Sequence, residues 1–184
     1  MSRSKTFWRK FRGGTKPSPA HTSPEEIIAS VTGAFVGILA VSLLAQWLHL
    51  SASDSLFLIG SFGASAVLIY GAPRSPFAQP RNLVVGHLVS ALAGVSCASL
   101  LVTVPAISAA AAVASAIALM HLTHSIHPPG GATALIAVIG SDQVQALSYW
   151  YVLSPVMLGV MIMLVVALVI NNLFPGRQYP EYWF

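Results

Sequence analysis

Four histidines are the residues of this chain best suited to chemistry. His121, His124 and His127 follow one another at a spacing of three residues, and His87 lies in a separate apolar run. Ionisable side chains within membrane segments are uncommon and point to function. Imidazole titrates near neutral pH, which suits a proton relay or contact with a polar substrate. We take His127, His87 and His124 as candidates for a proton relay.

The same histidines allow two other interpretations. Imidazole is a common ligand of transition metals, but no cysteine or acid stands nearby in the sequence to complete such a site, so we predict no metal and no other cofactor. The rings can also be hydrogen-bonded residues of the helix packing that bind no ligand. We find no convincing pair of nucleophile and base and therefore predict that the protein is not an enzyme.

The glycines that follow His127 form a second candidate feature. The two prolines between them favour the first turn of a new helix. Backbone N–H groups at Gly130, Gly131 and Thr133 are then predicted to be free at the positive end of that helix. Such a helix start is a typical binding site for a small anion.

A related stretch lies 68 positions earlier, where GASAVL at 63–68 matches GATALI at 131–136 with three identities. We expect Ser61, Gly63 and Ser65 to lie at a second helix start. In this interpretation the two starts face each other inside the membrane, and their amides together bind the anion.

These residues are embedded in a strongly apolar chain. Of its 184 residues, 55% are hydrophobic and 8% are charged, and the mean hydropathy is +0.75. This composition excludes an ordinary soluble domain and predicts an all-α integral membrane protein. Four runs are long enough to cross a bilayer, namely 27–50, 83–104, 106–126 and 151–173. Two shorter runs are interrupted by glycine or proline, at 56–71 and 128–140.

The charged loops decide whether the short runs cross as well. With six crossings, the N-terminal bases, Arg74, Arg81 and Arg177 fall on one side, while Asp54 and Asp142 fall on the other. Lys and Arg accumulate on the cytoplasmic side of membrane proteins. We therefore predict a polytopic bundle of six segments with both termini in the cytoplasm. Arg81 is then placed to attract an anion electrostatically at the cytoplasmic edge.

Three segments followed by three equivalent segments form an inverted repeat, which is a common plan of secondary transporters. The predicted boundaries are a basic cytoplasmic segment at 1–24, a transmembrane domain at 25–175 with repeats at about 25–104 and 105–173, and an interfacial tail at 176–184.

Two blocks of the sequence resemble the HPP family of small integral membrane proteins. They are HPPGGATA at 127–134 and GSFGASAVLIYGAPRSPFAQPRNLVVGH at 60–87, and the resemblance covers about 25–175. It implies nitrite transport, in which some members from cyanobacteria and plastids are implicated. It also favours a bacterial cytoplasmic (inner) membrane, since the long transit sequence of plastid members is missing. The family is often described as having four spans, and the six predicted here depart from that description.

We therefore expect a membrane transporter or channel for a small monovalent anion, with nitrite as the first candidate and a proton as a possible coupling ion. The alternatives are a noncatalytic assembly or regulatory subunit and a metal-binding membrane protein built on His121, His124 and His127. The expected partners are a small inorganic anion, the lipid bilayer and further copies of the chain in a homo-oligomer. No nucleic-acid partner is expected.

Overall fold

The computed structural model describes residues 23–184. Over that range the chain forms seven α-helices joined by turns and short 3₁₀ and π-helical segments, which confirms the predicted all-α bundle. Five helical stretches in this range are long and apolar enough to cross a membrane. Nearly all of the basic segment predicted at 1–24 lies outside the described residues.

The first helix, α1 (Pro24–Trp47), begins after Ser23, whose hydroxyl accepts a hydrogen bond from a first-turn amide. Gly33 and Gly37 lie on its buried face, where an added Cβ would collide with the ring of Tyr70. Helices in lipid associate through such close approaches, because apolar side chains gain little by leaving lipid for protein. Gly33 and Gly37 thus let α1 pack closely against Tyr70.

The second helix, α2 (Ala52–Ala66), continues through a π-helical turn (Val67–Gly71), and the two together have 20 residues, enough to cross. Ser51 caps its start. The prediction of a short segment at 56–71 with a helix start near Gly60 is therefore wrong. A glycine inside a helix costs only about 1 kcal/mol, and the helix continues through it.

A 3₁₀ turn (Pro76–Ala78) leads into α3 (Pro80–Leu100), which a short connection separates from α4 (Pro105–Leu122). Both helices begin with proline, which has no amide to leave unpaired in a first turn. They run antiparallel in direct contact, and the hydroxyl of Ser108 donates to the carbonyl of Cys97 at 3.0 Å.

The next helix, α5 (Pro129–Ile139), has 11 residues, which is about 16 Å and roughly half of the hydrocarbon thickness. The irregular segment 123–128 covers the remaining depth. Four of its six carbonyls accept hydrogen bonds from protein groups; for example, the side-chain amide of Asn82 donates to the carbonyl of Ile126 at 2.7 Å. Irregular backbone is tolerated at membrane depth only where it is buried in this way or lines a cavity.

A short helix, α6 (Asp142–Ala146), follows α5. The last crossing has 22 residues and combines a π-helical segment (Val152–Met157) with α7 (Leu158–Leu173).

Hydrogen bonds between loops show that the chain passes between the two ends of the bundle six times. At one end the amide of Ser141 donates to the carboxylate of Asp54 at 3.0 Å, which joins the α5–α6 turn to the start of α2. At the other end Arg177 forms an ion pair with Glu26 at 3.0 Å. We call the first the aspartate end, which holds Asp54 and Asp142, and the second the arginine end, which holds Arg74, Arg81 and Arg177.

Successive passages run in alternating directions, so the second group of three begins at the end opposite to the first. An inverted repeat requires this arrangement. The internal symmetry of the two units, with boundaries at 25–104 and 105–173, stays a prediction.

Candidate functional site

Five buried polar side chains meet where α2, α3 and the start of α5 come together. Each is at most 1% exposed. We call this group the imidazole–hydroxyl cluster, which consists of His87, His127, Ser61, Ser65 and Thr133.

Ser65 stands at the centre of the imidazole–hydroxyl cluster. Its hydroxyl oxygen lies 2.9 Å from Nε2 of His87 and 2.9 Å from Nε2 of His127. The two ring centroids are 4.9 Å apart. One hydroxyl of α2 thus connects a histidine of α3 with the histidine that precedes α5.

The other ring nitrogens also have partners. Nδ1 of His127 donates to the backbone carbonyl of Phe77 at 2.8 Å. Nδ1 of His87 lies 2.8 Å from the hydroxyl of Thr133, which in turn lies 2.8 Å from the hydroxyl of Ser61. Buried polar groups are expected to be hydrogen-bonded, and all four imidazole nitrogens meet this requirement.

Gly86 of α3 allows the segment that carries His127 to reach the cluster. A Cβ at Gly86 would lie 2.7 Å from Cβ of His127 and 2.8 Å from the carbonyl oxygen of Ser125. Only a residue without a side chain lets the segment before α5 lie directly against α3. The proline and glycine residues of the HPPGG motif end that segment and start α5 inside the bundle. His87 follows Gly86, about 10 Å along α3 from Pro80.

The predicted anion site of free amides is not present on α2. Ser61, Gly63 and Ser65 lie in the body of that helix, which begins at Ala52. The positive end of α2 is therefore at the aspartate end and does not face α5. Ser61 and Ser65 join the site through their hydroxyls, whereas Gly63 borders an apolar groove against α1.

At α5 the glycine amides are also occupied. Gly130 donates to the carbonyl of His127 at 2.8 Å, and Gly131 donates to the carbonyl of Pro128 at 3.1 Å. The prediction of two opposed helix starts with unpaired donors is therefore wrong. Thr133 contributes a side-chain hydroxyl instead.

Three other predicted residues lie apart from the cluster. Nη2 of Arg81 donates to the carbonyl of Thr123 at 2.8 Å at the arginine end. His121 and His124 are exposed, so the structure pairs His127 with His87 and not with its neighbours in sequence. Within residues 23–184, no group of three potential metal-ligating side chains comes together.

Two participants were missed by sequence reasoning. The hydroxyl of Tyr151 donates to the carbonyl of Thr133 at 3.0 Å. Tyr151 also lines a cavity of about 170 Å³ near the aspartate end, together with Ser99, Gln145 and Ser148. A tyrosine at the start of the last apolar run was a usable signal for this contact. The carbonyl of Phe77 has no side-chain signal, because any residue supplies the same group.

The family model described as "HPP, transmembrane region" matches residues 19–180. Two transmembrane proteins of Dictyostelium discoideum are similar to the chain, one 46% identical over 181 residues and the other 43% identical over 182. Each alignment covers 97% of this chain, which spans 57% and 63% of the lengths of these relatives. No solved structure matches the chain.

Proposed function

Because this chain belongs to the HPP transmembrane family, some members of which are implicated in nitrite transport, we propose that it transports a small monovalent anion across a membrane. Nitrite is the first candidate. The anion moves together with a proton that the buried histidines carry. Either a carrier or a channel is compatible with this proposal.

The imidazole–hydroxyl cluster is the observation that carries the proposal. Polar and ionisable side chains are costly in a bilayer and are retained there mainly for function. Many other helix contacts are made by small and apolar residues, such as Gly94 of α3 against Ala134 of α5. Packing of this kind does not require two titratable rings that are bridged by one hydroxyl. They support proton handling inside the membrane.

The same groups supply the contacts that an anion needs. Hydroxyls of Ser61, Ser65 and Thr133 and ring N–H groups of His87 and His127 are hydrogen-bond donors. An anion enters by replacing internal bonds of the cluster. Moving one negative charge against a membrane potential costs about 2.3 kcal/mol per 100 mV. Accumulation therefore requires conversion of the anion inside or a coupled cation, and we propose that this cation is a proton.

A partly polar cavity lies at the aspartate end of the bundle. The cavity there is lined in part by polar side chains of Ser99, Gln145 and Ser148. Tyr151 lines this cavity and donates to the backbone carbonyl of Thr133, whose hydroxyl belongs to the cluster. We propose that the anion approaches through this cavity, and that Arg81 attracts it electrostatically at the arginine end.

The arginine end is proposed to face the cytoplasm. Arg74, Arg81 and Arg177 all lie there, and positively charged loops accumulate on the cytoplasmic side. Both termini then lie in the cytoplasm. A bacterial inner membrane stays a prediction, since the two relatives come from Dictyostelium discoideum.

Uptake into proteoliposomes tests the proposal. Purified protein is reconstituted, labelled nitrite is added outside, and a pH gradient of either direction is imposed. We expect uptake that is faster with the acidic side outside. His127→Ala should reduce uptake to the level of protein-free vesicles, whereas His121→Ala, a matched change at an exposed histidine outside the cluster, should not.

Other outcomes identify the alternatives. No uptake by folded protein under either gradient overturns the proposal and favours an assembly or regulatory subunit. In that case His127→Ala and Gly131→Leu should disrupt a complex. A stoichiometric transition metal in protein purified without an affinity tag favours the metal-binding alternative. The homo-oligomer and the lack of enzymatic activity stay predictions.

A further inference from the structure

We propose that the imidazole–hydroxyl cluster binds one proton at a time, so that the transported load is one anion with one proton and has no net charge. The anion part rests on the proposed function, whereas the proton site does not. Three features carry the proposal: the order of hydrogens in the cluster, the second acceptor available to each hydroxyl, and the short distance between the rings.

In the neutral cluster, only one placement of the hydrogens lets all of these hydrogen bonds form. The carbonyl of Phe77 can only accept, so Nδ1 of His127 carries a hydrogen and Nε2 of the neutral ring accepts one. Ser65 therefore donates to His127 and accepts from Nε2 of His87. Nδ1 of His87 then accepts from the hydroxyl of Thr133. The two rings are fixed as opposite tautomers, with the hydrogen on Nδ1 of His127 and on Nε2 of His87.

One additional proton fits on His87 without loss of a hydrogen bond. When Nδ1 of His87 becomes a donor, Thr133 accepts from it and turns its own hydrogen toward Ser61, 2.8 Å away. Ser61 then donates to the carbonyl of Pro129 at 3.1 Å. Only hydroxyl hydrogens rotate. Both the neutral and the singly protonated cluster are therefore fully hydrogen-bonded.

His127 can hold the same proton. If Nε2 of His127 becomes a donor, Ser65 accepts from it and turns its own hydrogen toward Nε2 of His87, 2.9 Å away. His87 is then neutral with its hydrogen on Nδ1, and again no hydrogen bond is lost. Ser65 therefore connects the two rings for proton transfer, and the cluster holds the proton on either ring.

A second proton is disfavoured by the distance between the rings. Two imidazolium groups would stand with centroids 4.9 Å apart. Like charges at such a distance repel strongly in a low-dielectric interior.

The residues packed around the cluster provide no opposite charge. Besides the hydroxyls of α2 and α5, the facing groups are the sulfur of Met120 on α4, the hydroxyl of Tyr151 before α7 and the carbonyl of Phe77. Across residues 23–184, no carboxylate or guanidinium hydrogen-bonds to any cluster side chain. On α3 the charged residue Arg81 is bonded to Thr123 at the arginine end.

A monovalent anion supplies the missing charge. A lone buried charge is costly unless it is paired, so a proton and an anion each favour binding of the other, and this coupling is reciprocal. The pair is neutral, and the membrane potential therefore exerts no net force on it.

Histidine tautomers test the proton site directly. We would record imidazole nitrogen signals of isotope-labelled protein in lipid nanodiscs and assign them with His87→Gln and His127→Gln. At neutral pH without nitrite, the signals should show the hydrogen on Nδ1 of His127 and on Nε2 of His87. Nitrite at acidic pH should produce one imidazolium equivalent in this pair. Identical tautomers, or two imidazolium equivalents, would overturn the proposal.

Electrical neutrality is tested in the proteoliposomes. A potassium diffusion potential set with valinomycin should change nitrite uptake by less than about twofold, because a neutral load does not feel the field. Proton entry, followed with a trapped pH dye, should equal nitrite entry. Protein-free vesicles correct for nitrous acid that crosses the lipid unaided. Uptake that follows the potential would overturn the neutral load.

The two experiments separate the two proposals. The assigned tautomers without any nitrite uptake would support the proton site and overturn the proposed function. Potential-driven nitrite uptake would support the proposed function and overturn the neutral load.

Discussion

The imidazole rings of His87 and His127 lie with their centroids 4.9 Å apart, although they belong to different segments of the chain. This pairing depends on Gly86, which lets the segment before α5 lie against α3. The geometry of the two histidines therefore depends on the helix packing around Gly86. Substitutions can test both.

Gly86→Ala should weaken the fold and displace His127. The new Cβ would lie 2.7 Å from Cβ of His127, and overpacking of this kind typically costs about 1–3 kcal/mol. Equilibrium unfolding in mixed micelles would measure the loss. Gly60→Ala is the matched control, because no atom lies within 4 Å of a Cβ there; it should stabilise α2 by up to about 1 kcal/mol. Equal effects of the two changes would contradict this account of the close approach.

Arg177→Gln should destabilise the arginine end. The guanidinium side chain is 1% exposed and pairs with Glu26 at 3.0 Å. It also donates to Ser30, Asn171 and the carbonyl of Tyr70. Breaking a buried pair lowers the free energy of unfolding by about 3–5 kcal/mol. Because Glu26 is partly exposed, we expect a loss near the lower value.

Arg74→Gln serves as the control for Arg177. The side chain of Arg74 is 72% exposed and lies 3.8 Å from Glu181, and exposed pairs contribute at most about 1 kcal/mol. Unfolding free energies of the two variants should therefore differ clearly. Similar values would show that Arg177 does not hold the C-terminal segment in place.

Single cysteines should label from opposite sides of the membrane at the two ends of the bundle. In a Cys97→Ser background, Arg74→Cys and Phe184→Cys should react with an impermeant maleimide on one side, and Asp142→Cys on the other. All three positions are exposed. Asp54 is unsuitable, because its side chain is buried against Ser141. Labelling of Arg74→Cys and Asp142→Cys from the same side would rule out six passages.

Ser90→Ala should leave stability unchanged or raise it. The buried hydroxyl of Ser90 has no hydrogen-bond partner within residues 23–184, and an unsatisfied buried group costs about 1–3 kcal/mol. Ser65→Ala is the comparison: it deprives two imidazole nitrogens of their partner and should lower the unfolding free energy by about 1–3 kcal/mol. A clear loss of stability in Ser90→Ala would indicate a bound partner for that hydroxyl.

Much of the fold could be predicted from local sequence. The bilayer sets the length of a crossing helix, so long apolar runs identified four of the spans near their observed ends. Proline has no backbone N–H and interrupts a helix locally. The breaks before Pro105 and Pro129 were predicted correctly for that reason.

The glycines of α2 show where local reasoning failed. Gly60 and Gly63 suggested a helix start, but the helix begins at Ala52, because the cost of a glycine is small compared with the cost of unpaired backbone groups in lipid. The amides at Gly130 and Gly131 are likewise paired within their own turn. Residue type alone does not tell whether a backbone donor is free.

The sequence by itself determined that this is a helical membrane protein with histidines at a helix break, since apolar length and proline chemistry are properties of short segments. Only the tertiary structure decided that His127 pairs with His87 through Ser65, and that the carbonyl of Phe77 orients the ring of His127. These contacts join residues far apart in the chain. They depend on the simultaneous packing of α2, α3 and α5, which no single segment encodes.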